Sequence, residues 1–337
     1  MGSFGRKIPG DIPIPAEGLV PPFLALDVGG THVRGAVVDS TGSILTQAKI
    51  KSELSKTGLD TPQQTEDRVL CVLSECLQDL KEKHPEACTA GIGFPGFFRS
   101  ETGIVEASPN IPQLHEFDLA GALSKQLKIS VSAQNDALLA ALGEFRFGAG
   151  KGLSQLIHIT LGTGVGGGAI LNNAPYSGDG GMAMEIGHLR VEPQDSKSAR
   201  MCGCGNRGCL EAYSSATAIA ARFMEASGHK VNDARQVYAL ATGGDAIARR
   251  ILEEAGDYLG RALAEAVKLL DIRNISISGG LASAWNIFHP AMASSLEHEL
   301  IPPLRDRVNI HRSTLGDNAG LLGAATLAMR ASSTTVS

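Results

Sequence analysis

The chain has 337 residues, of which 43% are hydrophobic, and a net charge of −5 spread over interspersed acidic and basic residues. This length predicts two lobes instead of one core. The sequence has neither a basic stripe for a nucleic-acid backbone nor a run of 18 apolar residues, so it predicts no nucleic-acid partner and no membrane span. Residues 1–22 lack the apolar block of a signal peptide, and we expect them to form a loose N-terminal tail of a cytoplasmic protein.

The first elements of the chain predict a mixed sheet. Apolar runs and helical spacing predict strands over 23–28, 33–39 and 44–50, a helix over 61–80 and a strand over 90–94. The order strand, strand, strand, helix, strand indicates a sheet that is not purely parallel.

The second half of the chain repeats this theme. It predicts a helix from 138, strands over 155–160 and 168–171 around a glycine loop, helices over 215–225 and 246–270, a strand over 274–278 and a last helix over 320–329 that packs on the first lobe. We therefore predict an α/β fold of two similar lobes with mixed sheets. The small lobe is discontinuous, at 23–133 plus 316–337, and the large lobe spans 134–315.

The first glycine turn follows a buried strand that ends near Asp27. Its carboxylate suits a hydrated Mg²⁺ ion, while the amides of Gly29 and Gly30 and the Thr31 hydroxyl suit phosphate oxygens. The alternative is an ordinary hairpin turn with a capping aspartate.

A second glycine loop, Leu-Gly-Thr-Gly-Val-Gly-Gly-Gly, occupies residues 161–168. It lacks the Gly-Lys-Ser/Thr of a Walker loop, and a strand follows it where a dinucleotide fingerprint requires a helix. Five glycines within seven residues exceed what a hairpin turn needs. Facing the first turn, this loop would clamp a triphosphate through the amides of Thr163 and Gly164.

Asn135 and Asp136 precede a helix, where either residue type is an ordinary N-cap. The functional alternative is that Asp136 accepts the proton of a substrate hydroxyl as that hydroxyl attacks a γ-phosphate. Asn135 would then orient the substrate.

A cysteine cluster is the most specific feature of the sequence. His188 together with Cys202, Cys204 and Cys209 supplies the four ligands of a closed tetrahedral zinc site, which leaves no position for a reactive water. A structural Zn²⁺ would fix the flanking Glu185 and Glu211, two carboxylates suited to the hydroxyl groups of a polyol.

Together these motifs resemble the ROK family, named for repressors, open reading frames and kinases, and the likeness covers about residues 23 to 330. Its features occur here in family order at 27–31, 91–96, 109–110, 135–136, 161–168, 185–188, 202–211 and 279–280. The resemblance implies an actin-like ATPase (ribonuclease H-like) fold with the active site between the lobes. It is strongest to the bacterial ATP-dependent glucokinases.

The resemblance also implies roles for individual residues. Asp136 would be the catalytic base, and Gly279 with Gly280 would lie near the adenine of ATP. The hexose would be bound by Asn110, Asn135, Asp136, Glu185, His188 and Glu211. His188 would contact sugar with one ring nitrogen and zinc with the other. Homodimers or homotetramers are expected.

Two departures from the family pattern leave alternatives open. Met184 stands where the family usually has glycine, which leaves the hexose open among glucose, N-acetylglucosamine, N-acetylmannosamine, mannose and fructose. The segment from Ser276 to Leu281 lacks the third glycine that is usual in the family, which leaves the adenine contacts open. A non-catalytic sugar-sensing protein is a further alternative, but the residues before Phe23 are too few for a DNA-binding helix-turn-helix.

Overall fold

A computed structural model describes residues 20–30, 32–52, 54, 60–99 and 102–334. Residues 1–19 of the expected tail and Thr31 lie outside this part. The strands are β1 Phe23–Val28, β2 His32–Val38, β3 Ile44–Lys51, β4 Thr89–Phe94, β5 Phe97–Phe98, β6 Val105–Ala107, β7 His115–Phe117, β8 Ser130–Asn135, β9 Leu156–Leu161, β10 Val165–Leu171, β11 Ala174–Tyr176, β12 Asn274–Ser278 and β13 Asn309–Arg312. The helices are α1 Pro62–Lys83, α2 Leu119–Leu127, α3 Asp136–Phe147, α4 Glu211–Ser214, α5 Ala216–Ser227, α6 Ala234–Thr242, α7 Ala246–Leu270, α8 Trp285–Glu299 and α9 Ala319–Thr334.

Two five-stranded sheets have the same design. The first has the order β3-β2-β1-β4-β8 and the second the order β11-β10-β9-β12-β13. In each, three antiparallel strands are extended by two parallel ones. The predicted mixed sheets are therefore confirmed. The lobe boundary expected between residues 133 and 134 stays a prediction, and it falls inside β8.

The first strand is apolar from Phe23 to Leu26, where both of its faces are buried. Leu24 and Leu26 pack into a core that contains residues of α1, whereas Phe23 and Ala25 pack into a second core with residues of α3 and α9. A strand covered on both faces has no polar side to show in its sequence.

The last helix, α9, returns to the first sheet as expected and runs to Thr334, beyond the predicted end at 329. It passes so close to β4 that a Cβ atom at Gly91 would overlap the Ala324 carbonyl. It also crosses α3, where Cβ atoms at Gly143 and Gly323 would overlap the carbonyls of Ala319 and Leu139. Glycine at these positions sets the spacing between α3, α9 and the sheet.

The second glycine loop is shorter than the sequence predicts, because β10 begins at Val165 and not at 168. Three of the five glycines lie in this strand. A Cβ atom at Gly166 would lie 2.9 Å from the Ala137 Cβ, and one at Gly168 would lie 2.7 Å from the Ala141 Cβ. Gly166 and Gly168 therefore allow α3 to pack on the face of the sheet.

Candidate active site

Asp27 ends a buried stretch of β1, and β2 supplies its partner. The antiparallel register puts Arg34 directly opposite, and its guanidinium donates both to the Asp27 carboxylate and to the Asp317 carbonyl. Burial raises the pKa of Asp27, and the charge and hydrogen bond of Arg34 oppose that rise. A Cβ atom at Gly320, in the first turn of α9, would lie 2.7 Å from Asp27 Oδ2.

The glycine turn after β1 is open to solvent. The Gly29 amide donates to the His32 carbonyl over 2.9 Å, and both Gly29 and Gly30 are exposed. A Cβ atom at Gly30 would meet no described atom within 4 Å. The expected contribution of Thr31 lies outside the described residues.

Asn135, and not Asp136, caps α3. The Asn135 Oδ1 accepts from the Leu138 amide over 3.0 Å, and its Nδ2 donates to the Gly96 carbonyl over 3.1 Å. Asp136 is the first helical residue, and its Oδ1 accepts from the adjacent Ala137 amide over 2.9 Å. The capping role that competed with a chemical role for Asp136 therefore falls on its neighbour.

Several carboxylates act on the proton affinity of Asp136. Burial is the largest cause of a pKa raised to about 6, followed by the negative charge of Asp27 and, more weakly, that of Glu185. Residues from β1, the start of α3 and the segment before His188 therefore converge. A carboxylate in this setting is a stronger base than an exposed aspartate.

The second glycine loop is anchored to α5. The Gly162 amide donates to the Gly164 carbonyl over 3.0 Å and closes a tight turn. The carbonyls of Gly162 and Thr163 accept from the Ala216 amide and the Thr217 hydroxyl, each over 2.9 Å. With these carbonyls held by α5, the turn has a fixed position.

The segment after β12 lies against this turn. Gly279 has φ of +94° and its Cα packs on the Leu161 backbone, where a Cβ atom would overlap. A Cβ atom at Gly280 would meet no described atom within 4 Å. Gly279 is therefore required by its positive φ and by close packing on the Leu161 backbone, and Gly280 borders open space among the described residues.

Glu211, the first residue of α4, faces the glycine loop. Its Oε2 accepts from the Val165 amide over 2.9 Å and lies where a side chain at Gly164 would project. Through this contact the structure joins the glycine loop to the carboxylates beside the cysteine cluster.

Glu185 occupies the centre of an inverse γ-turn, with φ of −68° and ψ of 51°. The Ile186 amide donates to the Met184 carbonyl over 2.6 Å, and Met184 itself has φ of +68°. Its side chain packs on the core of the second lobe. The pKa of Glu185 is raised by burial, lowered by His188 and raised by Glu211.

His188 presents different nitrogens to two neighbours. Its Nε2 lies 3.8 Å from Glu185 Oε2, and its Nδ1 lies 3.7 Å from Cys202 Sγ. Asn110 is different, because it lies exposed in the turn after β6 and no contact among the described residues joins it to these side chains.

The four cysteine-cluster ligands lie together. Their ligand atoms are all within 4.8 Å of one another, and Cys204 Sγ is 3.7 Å from Cys209 Sγ. Tetrahedral Zn–S bonds of about 2.3 Å imply sulfur separations of about 3.8 Å, so His188, Cys202, Cys204 and Cys209 fit a zinc ion.

Sequence reasoning missed Arg34 and Gly320. The hairpin register would have revealed Arg34, because it lies as far beyond the turn as Asp27 lies before it. Gly320 gave no such signal, since its contact with Asp27 depends on where α9 returns.

Known proteins resemble this chain along most of its length. The ROK family model matches residues 23–331. A glucokinase of Thermotoga maritima is 32% identical over 319 residues, which cover 90% of this chain and 96% of that protein. An N-acetyl-D-glucosamine kinase of Histophilus somni is 30% identical over 312 residues, covering 90% and 98%.

A solved structure extends the likeness to three dimensions. A ROK family glucokinase from Streptomyces griseus, in complex with glucose and AMPPNP, aligns with a TM-score of 0.76 and 30% identity. The alignment covers 91% of this chain and 99% of that chain. This chain therefore belongs to the ROK family and has its actin-like α/β fold.

Proposed function

We propose that the chain transfers the γ-phosphoryl group of ATP to the 6-hydroxyl group of glucose, with Asp136 as general base. The observation that carries the proposal is the placement of Asp136 at the start of α3, with a pKa raised to about 6 by burial and by Asp27. Asp136 would take the hydroxyl proton as the sugar oxygen forms its bond to phosphorus, and ADP leaves.

The broader activity, ATP-dependent sugar phosphorylation, follows from the relatives. Two of them are named for kinases of glucose and N-acetylglucosamine, and a third was solved with glucose and an ATP analogue. N-acetylglucosamine is thus the second candidate substrate, favoured by 30% identity to its kinase. N-acetylmannosamine, mannose and fructose remain outcomes of the test.

The nucleotide would lie between the two glycine turns. The amides of Thr163 and Gly164 would face the phosphates, as would the turn of Gly29, Gly30 and Thr31, in which the Gly29 amide is already bonded to the His32 carbonyl. Gly279–Gly280 would border the adenosine. Asp27 is the carboxylate best placed to hold a hydrated Mg²⁺ ion, which supplies neutralisation of phosphate charge when bound. The open space at Gly280 among the described residues supports this placement.

The sugar would lie between Asp136 and the zinc loop, the segment from His188 to Cys209 that carries the four residues of the cysteine cluster. Glu185 and Glu211 would accept sugar hydroxyls, and His188 Nε2 points away from the cysteines toward Glu185. Asn135 already makes two hydrogen bonds, but its amide retains one N–H and one lone pair for a substrate. Asn110 would join from its exposed turn.

A panel of sugars tests the proposal. We expect ADP release at constant MgATP to depend on glucose, with a higher kcat/KM than for N-acetylglucosamine, N-acetylmannosamine, mannose or fructose. Glucose 6-phosphate should form in equal amount to ADP. Preference for an N-acetylated sugar would contradict the glucose assignment. The absence of ADP release with every sugar would contradict the proposed kinase activity.

The cysteine cluster would hold one structural Zn²⁺ ion, which the ligand distances support. His188 and the three cysteines fill all four positions, so the ion would brace the loop without entering the reaction.

A homodimer or homotetramer in the cytoplasm remains a prediction. None of the described helices is long and apolar enough to cross a membrane.

A further inference from the structure

A buried polar network adjoins two of the three segments assigned to ATP, the Gly162 turn and Gly279–Gly280. His158 of β9 stands between two serines of β12, with Nδ1 2.8 Å from Ser276 Oγ and Nε2 2.9 Å from Ser278 Oγ. Thr160 Oγ1 lies 3.3 Å from both His158 Nε2 and Ser278 Oγ. His158 and Ser276 have no exposed surface, and Ser278 is only 3% exposed.

The network spans two parallel strands at the point where they end. His158 pairs in register with Ser276, and Thr160 pairs with Ser278. One residue after Thr160, the Leu161 carbonyl packs on Gly279, which directly follows Ser278. The hydroxyl groups of Thr160 and Ser278 are therefore next to the Gly162 turn and to Gly279–Gly280.

The chemistry of the network makes its geometry specific. Burial lowers the pKa of His158 to about 3, so the imidazole is neutral and has one donor and one acceptor nitrogen. One serine must then donate to the ring and the other accept from it. A shift of either strand would leave buried polar atoms unpaired, which is costly.

We propose that His158, Ser278 and Thr160 are positioning residues that fix the distance between the Gly162 turn and Gly279–Gly280, and thereby the shape of the ATP site. This rests on the proposed function of these segments. The competing explanation is that the network only stabilises the sheet, in which case its loss would lower stability without a selective effect on ATP.

A serine-to-alanine pair distinguishes these explanations. Ser278→Ala removes one buried hydroxyl beside the ATP segments. Ser74→Ala removes a similarly buried hydroxyl in α1, where Ser74 donates to the Cys71 carbonyl and accepts from Gln126. Ser278→Ala removes the hydrogen bond between Ser278 and His158. Since one hydrogen bond contributes about 1 kcal/mol, we expect the KM for ATP to rise about fivefold. The KM for the sugar should stay within about twofold of wild type, and Ser74→Ala should leave both constants unchanged.

His158→Phe removes both ring hydrogen bonds but introduces a larger ring at a fully buried position, and it should raise the KM for ATP further than Ser278→Ala. If it does not fold, the serine pair still decides. A Tm loss in Ser278→Ala with an unchanged KM for ATP, or equal effects in Ser74→Ala, would overturn the proposal.

Gly280→Val separates this proposal from the proposed function. The Cβ atom of a valine at position 280 would meet no described atom within 4 Å, and the side chain would project where we place ATP. If Gly280→Val raises the KM for ATP and Ser278→Ala does not, the ATP site stands and the positioning role is overturned. If neither variant changes that KM, both are overturned.

Discussion

The proton affinity of Asp136 sets the pH range in which it can act. A general base must be ionised, and burial with the charge of Asp27 raises the pKa of this carboxyl to about 6. We expect kcat/KM for the sugar at saturating MgATP to be level above about pH 7 and to fall roughly tenfold per pH unit well below 6. Initial rates across the pH range check this, and a midpoint near 4 would contradict it.

The same raised pKa predicts a stability cost. The folded chain holds the Asp136 proton more tightly than the unfolded chain, so ionisation destabilises the fold as pH rises from about 4 through 6. Asp136→Asn should raise the free energy of unfolding at pH 7 by up to about 3 kcal/mol, and by less at pH 5. Urea unfolding at both pH values measures the gain, and a loss at pH 7 would contradict the raised pKa.

At the residue scale, the sequence predicts which side chains to watch but not which job each performs. Asparagine and aspartate cap helices about equally well, so the sequence does not decide between Asn135 and Asp136. The structure shows that Asn135 caps α3, which leaves Asp136 without that role. Similarly, the methionine at 184 does not by itself predict its φ of +68° beside Glu185, whereas the glycine usual in the family would favour that conformation.

At the scale of elements, the crossing of α3 and α9 connects the two aspartates. Asp136 begins α3, and Gly320 in the first turn of α9 lies against Asp27. The contact of Gly323 with the Leu139 backbone leaves no room for a side chain. We expect Gly323→Ala to lower the free energy of unfolding by roughly 1–3 kcal/mol, because the helices must separate.

Urea unfolding measures that loss, and Gly180→Ala provides the control. A Cβ atom at Gly180 would meet no described atom within 4 Å, so its effect should stay within about 0.5 kcal/mol. Equal effects of the two variants would show that the crossing tolerates a methyl group.

Element positions follow from the sequence where apolar periodicity decides them. The bounds of α7 and β12 agree with prediction, because a long amphipathic helix and a short buried strand each have a distinct pattern. The predicted start of β10 at residue 168 was wrong, because Gly166 and Gly168 lie in the strand, where they allow α3 to pack against it. That use of glycine depends on a distant helix and leaves no local signal.

For the whole molecule, the zinc loop is expected to contribute folding energy. Cys204 is the exposed cysteine of the cluster, so Cys204→Ser should remove one proposed metal bond with little disturbance of packing. We expect this variant to bind less than one zinc per chain and to unfold at lower temperature, because metal affinity at a closed site is folding free energy. Elemental analysis and thermal unfolding check both expectations.

Cys71→Ser is the matched control, since Cys71 is an exposed cysteine on α1 away from the cluster. It should retain zinc and the wild-type Tm. Wild-type protein without zinc would contradict the structural role of the metal.

The two-lobed organisation is predictable because each lobe repeats one pattern of strands, and the family motifs at 27–31, 91–96, 135–136, 161–168 and 279–280 lie where those strands end. What the sequence does not predict is their mutual distance. The network of His158, Ser276 and Ser278 joins residues more than one hundred positions apart, and it emerges only when β9 and β12 pair.

The central claim, phosphoryl transfer with Asp136 as base, is tested most directly by the kcat of Asp136→Asn with glucose and ATP. The variant keeps the side-chain shape and the Asn135 cap but removes the proton acceptor. We predict a fall in kcat of about 10²–10⁴-fold, with zinc content retained. A variant that keeps more than about a tenth of the wild-type kcat would contradict the claim and direct the search for the base to Glu185 or Glu211.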